Sequence, residues 1–126
     1  MAKGLRFNKN KLNLSYCPVS AICAISMVFA KNSKKYGGKY PDENWRLGQP
    51  LSNHINSLLR HVYKFMCGED IDSESNLPHL YHALTNLAMA IEDLHNNPDL
   101  DDRYIGKQAS FDVFQKEFEA AFKDED

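Results

Sequence analysis

Residues 51–95 read LSNHINSLLRHVYKFMCGEDIDSESNLPHLYHALTNLAMAIEDLH. Leu51, Ile55, Leu58, Leu59, Val62, Phe65 and Met66 recur every three or four positions, which is the spacing of an amphipathic helix and predicts one over 51–66. Leu80, Leu84, Leu87, Ile91 and Leu94 repeat the pattern and predict a second helix over 78–95. Gly68 stands where a left-handed residue ends a helix, and Asn96-Asn97-Pro98 closes the second one. The two apolar stripes are expected to build the core. Upstream, Pro18 suits the first turn of a helix. Val19, Ile22, Cys23, Ile25, Met27 and Phe29 then surround a central helix over 18–31, which fades through Lys31–Tyr36 before Gly37-Gly38. Downstream, Phe111, Phe114, Phe118 and Phe122 share one face of a last helix starting at Ser110. With no strand alternation, the expected architecture is all-α, a single domain over 1–126 with an extended arm over 1–17.

Composition narrows the function classes. At 43% hydrophobic and 25% charged residues, the 126-residue chain is globular rather than disordered. A net charge of −2 supplies no field that would draw in nucleic acid. The longest uncharged run, 18–30, is too short to span a bilayer. Cys17, Cys23 and Cys67 are odd in number and contain no CxxC pair, so a reducing cytoplasm is expected rather than a disulfide scaffold or zinc knuckle.

A second pattern overlies the apolar one. Arg60-His61 ends the first of the paired helices. Glu69, Asp70, Asp72 and Glu74 crowd the turn, and His79, His82 and Asn86 share a face of the next helix. The ordinary role of acids in such a turn is capping, here by Asp72 or Ser75, or simple solvation. Four acids within six residues also repel one another, and a bound cation relieves that repulsion. Hard cations such as Mg²⁺ take carboxylate and phosphate oxygens together. The spacing is not that of an EF-hand, and HExxH is absent. Between the helices at 18–31 and 51–66, the loop GGKYPDENWRLGQP holds the chain's only tryptophan, Trp45, beside Tyr40 and Arg46. Trp45 either plugs an edge of the core or faces a ligand. The neighbouring Lys34, Lys35, Lys39 and Arg46 are ordinary surface charge or a phosphate clamp beside a stacking aromatic.

Together these segments resemble the phage-associated dATP/dGTP diphosphohydrolases, small all-α proteins akin to MazG-type nucleotide pyrophosphohydrolases. The matching pieces are Arg6-Phe7-Asn8 with Lys11, Lys35-Tyr36, Asn44-Trp45-Arg46 with Gly48, and Arg60-His61. Gly68-Glu69, Asp72, Glu74-Ser75, His79, His82-Ala83 and Asn86 complete them, over about residues 5 to 94. Asn76 replaces a customary glycine, and Asn8 a customary aspartate. The MazG pattern of ExxE followed by ExxD is absent.

The resemblance implies a MazG-like bundle that cleaves dGTP or dATP between the α- and β-phosphates, releasing dNMP and pyrophosphate within phage nucleotide metabolism. It implies Mg²⁺ or Mn²⁺ held by ligands drawn from His61, Glu69, Asp72, Glu74 and His82, the same residues carrying catalysis. Substrate contacts are expected from Lys35, Tyr36, Asn44, Trp45, Arg46, Arg60, His79 and Asn86. A homodimer or homotetramer is expected because one small domain can hardly bury both the 18–31 helix and the phenylalanine face. Two other classes remain open: a nucleotide-binding or host-interaction module without turnover, and a helical DNA-binding protein. The acidic turn opposes the last, since phosphate backbones repel carboxylates.

Overall fold

A computed structural model describes residues 4–5, 9–36, 45–106 and 110–123. Its elements are α1 (Val19–Tyr36), α2 (Leu51–Met66), α3 (His79–Asn96) and α4 (Phe111–Ala121), with short 3₁₀ turns at Leu14–Tyr16 and Pro98–Leu100. The only strand-like pairing among the described residues is an isolated bridge between Ile71 and Pro78. The all-α architecture is therefore as expected. α2 and α3 lie against each other and α1 packs on α3. α1 does not fade at Lys31; it continues to Tyr36. The arm residues 9–17 are exposed rather than packed on the body.

The turn between α2 and α3 is fixed by its backbone. Gly68 takes φ +96°; its N–H donates to the Phe65 carbonyl, and the Glu69 N–H reaches the Lys64 carbonyl. These two bonds form the helix stop that a left-handed residue makes possible. The chain then folds back: Asp72 N–H donates to Leu77 O, Asn76 N–H to Asp72 O and His79 N–H to Asp70 O. Asn76 adopts φ +62°, a conformation asparagine tolerates better than most side chains. The turn thus survives the loss of glycine there. Pro78, not Asp72 or Ser75, occupies the N-cap of α3, and no side chain caps it.

The N-terminus of α2 is tied from far along the chain. Pro50 cannot cap it, but Asp102 accepts the Ser52 N–H at 2.9 Å and the Ser52 hydroxyl at 2.5 Å. A carboxylate there satisfies an orphan donor and meets the positive end of the helix dipole.

The core does not follow the expected stripes. Leu80, Leu87 and Ile91 are 42–52% exposed, and Leu59 is 44% exposed. What α3 buries instead is His79, His82, Ala83, Thr85, Ala90 and Asp93, while α2 buries Leu51 and His54. α3 therefore turns polar residues inward, and α2 buries His54 beside Leu51. Apolar spacing identifies a helix and its faces, but which face another element covers is a tertiary matter. α4 is exposed along its whole length.

Candidate functional site

The inward polar faces of α2 and α3, with α1 and Trp45, enclose a cleft of about 720 Å³. Its two ends differ. Phe29 of α1 and Trp45 form one end, their rings stacked at 5.1 Å between centroids. Arg60, His61 and Lys64 from α2 line the other, facing Asp72, Glu74 and Ser75 of the turn and His82 of α3.

Three expected histidines meet here. The His61 ring stacks on His82 at 4.6 Å and lies 5.1 Å from His79. His79 is fully buried, and both its nitrogens are used: Nε2 lies 2.6 Å from Glu69 Oε2 and Nδ1 lies 2.8 Å from His61 Nδ1. A neutral His79 that donates Nε2–H to Glu69 has only a lone pair at Nδ1, so His61 must donate from its own Nδ1. His61 Nε2 then carries a lone pair. It meets no hydrogen-bond partner among the described residues, and no buried side-chain nitrogen or oxygen there is left unpaired, so Nε2 opens to the cleft. Glu69 and His79 stand behind His61 and fix the orientation of its ring.

Ser75 ties the turn to α3. Its hydroxyl donates to Asp72 Oδ2 at 3.0 Å, accepts the Leu77 N–H and meets His82 Nε2 at 2.6 Å. With its proton given to Asp72, the hydroxyl accepts from His82, so this His82 nitrogen is a donor and not a ligand in this geometry. Burial would raise the Asp72 pKa. The Ser75 hydroxyl, the Glu74 amide and then the His82 and His61 rings outweigh that and hold it below its ordinary value.

The His61 pKa is pushed down to about 4, by burial first, then by His82 and His79, with Arg60 adding and Asp72 opposing. His61 is therefore neutral at pH 7. The unfolded chain protonates this ring near the ordinary 6.5 and the folded chain near 4, so between these values the unfolded state holds more protons and stability falls as pH falls. Asp72 contributes only at more acidic pH: its stabilisation is present above its ordinary value and is lost below it. The midpoint of urea denaturation is expected to rise from about pH 4 to 6.5 in wild type and to flatten in His61→Gln. An unchanged slope in the variant would remove His61 from this role.

The remaining expected residues divide. Trp45, Arg60 and Asn86 line the cleft, and Asn86 Nδ2 donates to the His82 carbonyl. Arg46 sits 4.8 Å from the Trp45 ring centroid and lines a smaller pocket of about 200 Å³ instead. Glu69 stands behind His79, and His79 is out of reach of a substrate. The side chains of Lys35 and Tyr36, and all of Asn44, lie outside the described residues, as do Arg6, Phe7 and Asn8. Lys31, Lys64 and His54 line the cleft as well, though the sequence reading gave none of them a role. The spacing of the sequence sets His54, Ser57, His61 and Lys64 on one polar stripe of α2, and that stripe is the signal for His54 and Lys64; Lys31, on α1, carries no such signal.

For a divalent cation, the acidic end supplies the right chemistry. Asp72 and Glu74 both line the cleft, beside the open Nε2 of neutral His61. Among the described residues no three His, Cys, Asp or Glu side chains form a group that could hold a metal ion by themselves.

A family model described as dATP/dGTP diphosphohydrolase, N-terminal, matches residues 1–103. The chain belongs to this family. The matched span contains α1 to α3 and the whole cleft but not α4. A dATP/dGTP diphosphohydrolase of Salmonella phage PMBT28 is 30% identical over 100 residues, covering 79% of this chain. The matched region spans 33% of that relative's length. No solved structure matches. No helix among the described residues is long and apolar enough to cross a membrane.

Proposed function

We propose that the chain hydrolyses a purine deoxynucleoside triphosphate, dGTP or dATP, to the monophosphate and pyrophosphate, with Mg²⁺ or Mn²⁺, in phage nucleotide metabolism. The observation that carries this is the polarity of the cleft. An aromatic pair stands at one end, and cations face carboxylates at the other. The nucleoside fits against Trp45 and Phe29. Arg60, Lys64 and Lys31 offset phosphate charge. Asp72 and Glu74 would hold the metal, with His61 Nε2 as a further donor; a bound divalent ion would polarise the phosphates. His82 and Ser75 keep Asp72 in place, and Asn86 borders the same space. The family and the phage relative's name support the same chemistry.

The decisive experiment measures pyrophosphate release from the four dNTPs and from GTP and ATP, with Mg²⁺, Mn²⁺ or EDTA. Metal-dependent release from dGTP or dATP is expected. A second reading has its own support, because the chain spans about a third of the length of its phage relative: it is a nucleotide-binding module without turnover. Saturable binding of dGTP with no pyrophosphate release would select it.

We further propose that the protein is a homodimer or homotetramer. Leu59, Tyr63 and Met66 of α2, Leu80, Leu87 and Ile91 of α3 and the four phenylalanines from Phe111 to Phe122 are all exposed. Light scattering is expected to give twice or four times the chain mass. A monomer at the highest soluble concentration contradicts the proposal.

A further inference from the structure

Beyond the histidine trio, the cleft holds one more carboxylate–imidazole pair. His54 of α2 and Asp93 of α3 are 39 positions apart in sequence, yet Nε2 and Oδ2 stand 2.6 Å apart. Both residues are buried, at 3% and 6% exposure. Asp93 Oδ2 also receives the Gln49 N–H at 3.3 Å, so the carboxylate is fixed from the loop as well as from α2. A carboxylate accepts, so His54 donates from Nε2 and the neutral ring keeps its lone pair on Nδ1. Among the described residues Nδ1 meets no partner, and no buried side-chain nitrogen or oxygen is unpaired. Nδ1 therefore opens to the cleft that His54 lines.

We infer that His54, oriented by Asp93, is the general base that takes a proton from the attacking water. The inference rests on the hydrolytic function proposed above. Place and partner both argue for it. His54 lies two helical turns before His61, about 10 Å along α2, between the aromatic end and the cationic end. The α-phosphorus is the one next to the nucleoside. A nucleoside against Trp45 and outer phosphates against Arg60 and Lys64 bring the α–β anhydride past His54. The rivals are engaged otherwise: His79 is buried, His82 Nε2 donates to Ser75, and His61 is backed by a second imidazole rather than a carboxylate. At His54 a buried carboxylate is in direct hydrogen-bond contact, ready to stabilise the imidazolium that forms, the role of the acid in a catalytic triad; at His82 the carboxylate of Asp72 stands 3.4 Å off, with the Ser75 hydroxyl bonded to both. The other charged or titratable groups around it are Lys31, Arg60 and His61 along the cleft and Arg46 across Asp93 in the smaller pocket.

In the step, the water oxygen bonds to the α-phosphorus and one water proton passes to His54 Nδ1. The bridging P–O bond breaks, and its electron pair leaves on pyrophosphate. The imidazolium, held by Asp93, then returns its proton to solvent. His54 is the catalytic residue here and Asp93 a positioning residue.

The test uses the full chain with dGTP and dATP and follows kcat and KM separately. His54→Gln is expected to lower kcat by about 10²–10⁴-fold, the usual contribution of proton transfer to a positioned base, with KM little changed. Asp93→Asn keeps the shape and an oxygen for Gln49 but removes the charge; kcat is expected to fall with KM and the denaturation midpoint near wild type. This second variant carries the test should His54→Gln fail to fold. Wild-type kcat in either folded variant, or a rise in KM alone, overturns the inference and leaves the hydrolytic function standing. No release by the wild-type chain overturns both.

Discussion

Asp72→Asn is expected to lower pyrophosphate release by about 10²–10³-fold, comparable to losing one preorganised electrostatic contact in a hydrolase. Asp72 accepts the Glu74 N–H on Oδ1 at 3.4 Å and the Ser75 hydroxyl on Oδ2 at 3.0 Å; the amide has one oxygen and keeps one of these bonds. With the longer contact given up, the turn should hold at a cost of about 0.5–1.5 kcal/mol. What the substitution removes is the charge. The surroundings of Asp72 favour its ionisation: hydroxyl, amide and two imidazoles lower its pKa against the opposing effect of burial. It lines the cleft opposite Arg60 and Lys64. The loss should appear in kcat and as a higher Mg²⁺ requirement. Wild-type turnover by Asp72→Asn at every Mg²⁺ concentration would place the metal elsewhere.

His79→Ala is expected to act on the fold. The ring is fully buried, and each nitrogen holds a partner on a different element: Glu69 in the turn and His61 on α2. Truncation opens a cavity the size of an imidazole and leaves His61 Nδ1 and Glu69 without their acceptor and donor. Cavity formation at a buried ring costs about 3–5 kcal/mol, and an orphaned buried group adds about 1–3 kcal/mol. Glu69 is half exposed and can turn to water, so the total should sit near the lower figure. Against a typical domain stability of about 5–15 kcal/mol, that is a large fraction. Urea denaturation of His79→Ala beside His79→Gln would show it; a midpoint within error of wild type would mean that the trio does not hold the α2–α3 turn.

Much of this was legible from local sequence. α2 runs Leu51–Met66 as its apolar spacing predicted, and Gly68 and Asn76 take the left-handed conformations their chemistry suits. The convergence of His61, His79 and His82 followed from a short turn joining two helices. What escaped were quantities that depend on long separations. His54 and Asp93 lie on different helices, and neither motif nor spacing pairs them. Trp45 was equally compatible with plug and platform; its stacking on Phe29, with Arg46 over the ring, gives it a structural partner while leaving it on the cleft wall. The buried face of α3 was misjudged for a physical reason. Leucines are the default interior residues, yet here imidazoles, threonine and aspartate are inside, each with a hydrogen-bond partner. Buried polar groups are tolerated when they are satisfied.

The bond from Ser52 to Asp102 sets a limit on how far the C-terminal side can be shortened. The family match ends at residue 103, one position past the carboxylate that closes the start of α2. Trimming to residue 103 keeps that closure. Trimming to residue 100 leaves Pro50 as the only residue at the helix start, and the first turn of α2 would fray toward His54. A gene fusion or transplanted domain that keeps Asp102 keeps the closure at the start of α2, one turn before His54.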